Sequence, residues 1–200
     1  MGLRLLLPAT WAPPGAYAEC TYCTGGSRGD RSKDHRFHGL NCRRGQGARI
    51  ARHDAIRDAL AQALKRLFGT HAVLLEPRLG PGLKEPDLSL ATEAGVIHVD
   101  VCVVNPAADH HITANSDSTT LAAASAGEAL KRRQYRDTLT SLGIREDRLV
   151  PFVVEATGRL GTAAMAFLDR LAEIPGQRAG SDVPQVSKFL SRAITAACMR

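Results

Sequence analysis

The chain has 200 residues, 44% of them apolar and 23% charged, and its 26 basic against 20 acidic side chains leave a net charge of +6. That length and apolar share support a real core, which excludes both a disordered chain and a small disulfide-held scaffold. No apolar run approaches the roughly 18–20 residues of a spanning helix, which excludes a helical membrane protein. With only 4% aromatic residues, the chain is poorly equipped to stack single-stranded bases.

Residues 1–19 read as a leader rich in Leu and Pro. The apolar stretch Leu3–Leu7 is too short for a signal-peptide core and Pro8 interrupts it. Gly2 lacks the Ser or Thr at position 6 that myristoylation needs, because that residue is Leu6. An intracellular, unsecreted protein is expected. Three of the five cysteines fall within Cys20–Cys42, an odd and clustered count that points to a reducing compartment. Cys20 and Cys23 form a C-x2-C pair, and His38 and Cys42 form an H-x3-C pair after 14 intervening residues. Soft thiolates at such spacings aim two ligands at one ion from each pair, so residues 20–46 are expected to form a zinc knuckle. His35 is an alternative fourth ligand to His38. The loop between the pairs is Gly-rich and polar, and metal binding would supply the folding energy it lacks. Four protein ligands leave no open position, so this zinc is structural.

Residues 47–200 are expected to form one α/β domain. Ile50, His53, Ile56, Leu60, Leu64 and Leu67 make an apolar stripe on a helix over Arg49–Phe68, which Gly69 ends. Arg49, Arg52, Arg57, Asp58, Lys65 and Arg66 are assigned to the opposite face. A short strand over 71–77 follows, closed by Pro77. Residues 86–91 and 96–104 then read as a hairpin around a turn at 93–95. In the second strand Ile97, Val99, Val101 and Val103 share one face, and His98, Asp100, Cys102 and Val104 the other. Both faces are largely apolar, so the strand is central and Asp100 needs a partner or a cation. Asp87 lies 13 residues earlier, near the start of the partner strand. Two carboxylates brought together repel, and a divalent cation such as magnesium relieves this. The alternative is that Asp87 caps a turn and Asp100 pairs with a basic residue. After a polar loop over 105–120, which holds His110 and His111, a helix is expected over 121–142. It places Ala124, Glu128, Lys131, Tyr135 and Leu139 near one face. A buried strand over 149–154 and amphipathic helices over 162–173 and 186–197 complete the chain.

This ordered set resembles the restriction-like endonuclease domain of site-specific non-LTR retrotransposons, within the PD-(D/E)XK nuclease superfamily. The residues that carry the resemblance are the Cys-Cys-His-Cys knuckle, Arg52-His53-Asp54 on a helix, Pro86-Asp87, Asp100-Val101 in a strand, and Lys131-Arg132-Arg133-Gln134-Tyr135 on a helix. The resemblance implies a mixed central sheet flanked by helices, preceded by the small zinc knuckle. It implies DNA phosphodiester hydrolysis with magnesium or manganese held by Asp87 and Asp100. Lys131 would act on the scissile phosphate, with Tyr135 and His53 in the cleft and Glu76 as a further acid. Arg43, Arg44, Arg49, Arg52, Arg132 and Arg133 would hold the DNA backbone. A nuclear or other intracellular location, and a reverse transcriptase domain in a parent polyprotein, are implied as well. Two departures stand out: Cys102 occupies the position two residues after the second acid, and Gln134 replaces the second lysine of a Lys-x2-Lys-Tyr pattern. They keep open a decayed copy that only binds nucleic acid. A structural α/β domain with ordinary ion pairs is the third reading.

Overall fold

The structure, a computed structural model, describes residues 46–106, 111, 120–174, 177 and 182–198. The chain divides between Gln46 and Gly47, and the sheet with its helices belongs to the second unit. The zinc-knuckle residues Cys20, Cys23, His35, His38 and Cys42, together with Arg43, Arg44 and His110, lie outside the described residues. The architecture is α/β. A long helix α1 (Gln46–Phe68) leads into three strands, β1 (Val73–Leu75), β2 (Leu88–Thr92) and β3 (Gly95–Val104). Helix α2 (Ala122–Ser141), strand β4 (Leu149–Glu155) and helices α3 (Thr162–Asp169) and α4 (Val183–Cys198) complete the order. The four strands form one mixed sheet in the order β1-β2-β3-β4. Strand β2 runs antiparallel to both β1 and β3, and β4 runs parallel to β3. Among the described residues no helix is long and apolar enough to cross a membrane.

The hairpin turns where its sequence changes character. Thr92 pairs with Gly95, and Gly95 takes φ 110, a value at which a Cβ would be strained. The alternation of β3 then sorts its two faces. Val99 and Val101 enter the main core with Leu88 and Leu90 of β2, Ile56, Leu60, Leu64 and Leu67 of α1, and Leu190 and Ile194 of α4. The other face lies under α2, which packs closely enough that a Cβ on Gly127 would stand 3.1 Å from Val104 Cγ1 and 3.2 Å from Val153 Cγ1. Two carboxylates tie helix starts to this layer. Glu155, at the end of β4, accepts the Ala124 N–H in the first turn of α2, and burial pushes its carboxyl up. Glu128 of α2 accepts the Ala163 N–H of α3 at 2.8 Å. Asp182 Oδ1 caps α4 by accepting the Gln185 N–H at 2.9 Å.

Three expectations need correction. The buried stripe of α1 is not centred on Ile50 and His53: Ile50 is 53% exposed and Arg52 only 6%. The stripe runs through Arg52, Ile56, Ala59, Leu60, Ala63, Leu64 and Leu67. Small alanines mark its true axis, and counting large residues alone rotates it. Arg52 is therefore not on a solvated face. The strand expected over 71–77 shrinks to Val73–Leu75, because Thr70–Ala72 form a 3-10 turn and Glu76 leaves the extended region at φ 46. The helix expected over 162–173 ends at Asp169 and continues as a 3-10 turn over Arg170–Glu173.

Candidate active site

Asp100 sits in the middle of β3 with 2% of its surface exposed. An isolated charge there would be strongly disfavoured, and α2 supplies its partners. Lys131 Nζ lies 2.5 Å from Asp100 Oδ2, a buried ion pair. Tyr135 donates its hydroxyl to Asp100 Oδ1 at 2.5 Å, with the Glu85 carbonyl 2.6 Å from the same hydroxyl oxygen. Lys131 and Tyr135 are four residues apart on a helix, hence one above the other on one face. Burial pulls the Lys131 ammonium down, but the Asp100 charge outweighs it and holds the pKa above the ordinary lysine value. Burial and then the Asp100 charge push the Tyr135 phenol far above its usual range, so it stays a donor and does not become a base.

Asp87 stands just before β2 and is half-buried. Its Oδ2 accepts the Val101 N–H at 2.6 Å, which seats it beside the residue that follows Asp100. The same oxygen lies 3.3 Å from His53 Nε2, while His53 Nδ1 lies 3.1 Å from Asp54 Oδ1. Burial raises the Asp87 carboxyl, but the His53 hydrogen bond and charge, the Val101 N–H and Lys131 together leave it below its ordinary value. The bond to Asp87 raises His53 from 6.5 to about 9; burial opposes this and Asp54 adds to it. His53 is an imidazolium at neutral pH. The loop ahead of Asp87 is tied to α2 as well: Thr138 Oγ1 accepts the Lys84 N–H at 3.0 Å.

Five side chains singled out in the sequence therefore meet: His53 from α1, Asp87 before β2, Asp100 from β3, and Lys131 and Tyr135 from α2. Tyr135, 1% exposed, packs against Leu139 and Leu149 and does not reach the surface. Asp100 does pair with a basic residue, as the simplest reading of a buried acid requires. Asp87, however, does not merely cap a turn, since its carboxylate joins a second cation. Arg49 is exposed, as are Arg132 and Arg133, and Gln134 is exposed beside them. Cys102 is a free, partly buried thiol that burial pushes up, and Lys131, Asp100, Asp87 and Arg49 all act on it electrostatically. Two contributors were not singled out, the Glu85 carbonyl and the Val101 N–H, while Asp54 entered only as part of the Arg52-His53-Asp54 run, with no role of its own. The two backbone groups carry no side-chain signal.

Two carboxylates, one just before β2 and one in β3, are hard oxygen donors of the kind magnesium takes, usually one or two per ion with water and phosphate completing the shell. In the structure the Asp100 Oδ2 that would serve such an ion is engaged by the Lys131 ammonium. Among the described residues no three His, Cys, Asp or Glu side chains converge as a closed metal cluster. Comparison with known proteins finds no matching family model and no matching curated protein.

Proposed function

We propose that residues 47–200 form a metal-dependent DNA endonuclease of the PD-(D/E)XK kind, the target-cleaving domain or its remnant in a retrotransposon polyprotein. The observation that carries the reading is the convergence of His53, Asp87, Asp100, Lys131 and Tyr135, drawn from four separate chain segments, on one patch of sheet. An ordinary structural role for Asp100 would need one cation and no more. Two half-buried or buried acids, each paired with its own cation, exceed what stability asks for and are often neutral to it at best. Perturbed titrating groups gathered in one place are more characteristic of a working site.

Asp87 and Asp100 would hold magnesium or manganese, which supplies a Lewis acid for the phosphoryl oxygen and a lowered pKa for the attacking water. The chain's own residues do the rest. Lys131, charged at neutral pH, offsets the added negative charge of a bound phosphodiester. Tyr135 holds one Asp100 oxygen and so orients the carboxylate. His53 keeps Asp87 ionised. The exposed Arg132 and Arg133 on α2 and Arg49 on α1 would hold the DNA backbone, giving affinity without sequence choice. Cys20, Cys23, His38 and Cys42 would bind a structural zinc.

The test is nicking of supercoiled plasmid with magnesium or manganese, run beside Asp100→Asn and Lys131→Met. The reading expects cleavage by the parent and at least about a hundredfold loss in each variant, the scale of a lost transition-state contact. Equal cleavage by parent and variants would remove it. Binding of DNA with no cleavage, in a folded parent, would favour the decayed copy.

A further inference from the structure

The proposed metal carboxylate Asp87 is gripped from two sides by a closed circuit of bonds. On one side, its Oδ2 lies 3.3 Å from His53 Nε2. On the other, its backbone carbonyl accepts the Glu76 N–H at 2.8 Å. The two ends are joined behind the site. His53 Nδ1 stands 3.1 Å from Asp54 Oδ1, that oxygen stands 3.4 Å from Arg57 Nη1, and the same Arg57 nitrogen donates to Glu76 Oε1 at 2.5 Å. Arg57 also donates to Asp58 at 2.9 Å, and its side chain is only 16% exposed although Glu76 is 68% exposed. An arginine fork that bridges three carboxylates is held in one geometry more firmly than a lone surface pair.

Glu76 carries a further sign of constraint. Its φ is 46, in the left-handed region that side chains other than glycine avoid. Pro77 follows directly and narrows the choices again. Strain of this kind persists where the surroundings over-determine the backbone, and it collects at functional sites. Glu76 Oε1 is engaged by Arg57, which ties this acid to the frame behind the site.

Resting on the nuclease reading, we infer that Arg57 and Glu76 are positioning residues: they fix where the Asp87 carboxylate stands by holding its backbone and its imidazole partner in one frame, and touch neither metal nor substrate. The frame acts on metal affinity and not on the integrity of the core, since Glu76 lies just past the sheet's shortest strand, Arg57 on helix α1, and neither belongs to the core cluster.

The experiment measures manganese binding to the full chain through the free-ion paramagnetic signal, with thermal melting in parallel. The proteins are the parent, Glu76→Gly, Arg57→Met, Arg57→Lys, and Asp87→Asn as the reference for a lost ligand. Glycine accepts φ 46 without strain, so Glu76→Gly keeps its melting temperature or gains. The inference expects it nonetheless to bind manganese about tenfold more weakly, the lower end of what outer supports of a metal ligand contribute. Arg57→Met weakens binding similarly, and Arg57→Lys recovers part of the loss. Unchanged affinity in Glu76→Gly and Arg57→Met, with Asp87→Asn impaired, would overturn the inference and leave the nuclease reading standing. Weakening that merely follows melting temperature would overturn it too. A parent that binds no manganese would overturn the nuclease reading, and the inference with it.

Discussion

Asp100 and Lys131 test each other at the scale of single residues. Lys131→Met leaves a carboxylate inside the molecule without its cation, which costs about 3–5 kcal/mol. Replacing both, as Asp100→Asn with Lys131→Met, removes the stranded charge, so the double variant is expected to be more stable than Lys131→Met alone. Urea unfolding of the four proteins measures this, and simple additivity would show that the two groups do not share one buried site. His53 sets a pH window. Its folded value of about 9 lies above the ordinary 6.5, so the protein binds that proton more tightly when folded. The resulting stability is complete below about 6.5 and is lost as pH rises through about 9. Allowing for partial exposure, it amounts to about 2 kcal/mol. Unfolding without added magnesium is expected to show this decline in the parent and to lack it in His53→Gln; parallel curves would contradict the imidazolium assignment.

Helix α2 is the element on which the site depends, and its sequence shows why. Glycine at position 127 lets it approach β3 and β4 closely, and Lys131 and Tyr135 follow at one-turn intervals on the same face. Gly127→Val is expected to destabilise by about 1–3 kcal/mol through overpacking. Because Lys131 lies one turn further along, cleavage at a temperature where the variant is folded should fall as well. A variant that melts like the parent would show that the helix has room to spare. The spacing on α2 was readable in advance, as were the hairpin and the placing of Asp100 on a buried face, because periodicities of two and of three to four residues are local properties. What was not readable depends on contacts distant in sequence. Arg52 belongs to the buried stripe, where it acts electrostatically on the Cys198 thiol at the end of α4, and the end of β1 is decided by an unusual backbone angle at Glu76. The loop ahead of Asp87 is placed by Tyr135 and Thr138, fifty or so residues away.

Across the whole molecule the meeting of His53, Asp87, Asp100, Lys131 and Tyr135 was more legible than the packing around it, since charged and polar residues at buried positions stand out in a sequence while packing between distant segments does not. Helix α2 carries a basic run on its exposed side. Arg132 and Arg133 are exposed on α2 directly after Lys131, and Arg136 follows on the same exposed side. If this face meets the phosphates of a duplex, each contact releases counterions and adds about 0.9 to the slope of log affinity against log salt. Replacing both Arg132 and Arg133 by Ala should therefore flatten that slope by about 2. It should weaken binding to unrelated sequences by the same factor, because phosphate contacts do not read bases. Cleavage at saturating DNA should stay near the parental rate, since neither arginine contacts Asp87 or Asp100. Fluorescence anisotropy over a salt series measures the slope and a single-turnover assay the rate. An unchanged slope would place the DNA on another face, and a lost rate with an unchanged slope would place these arginines in the chemistry.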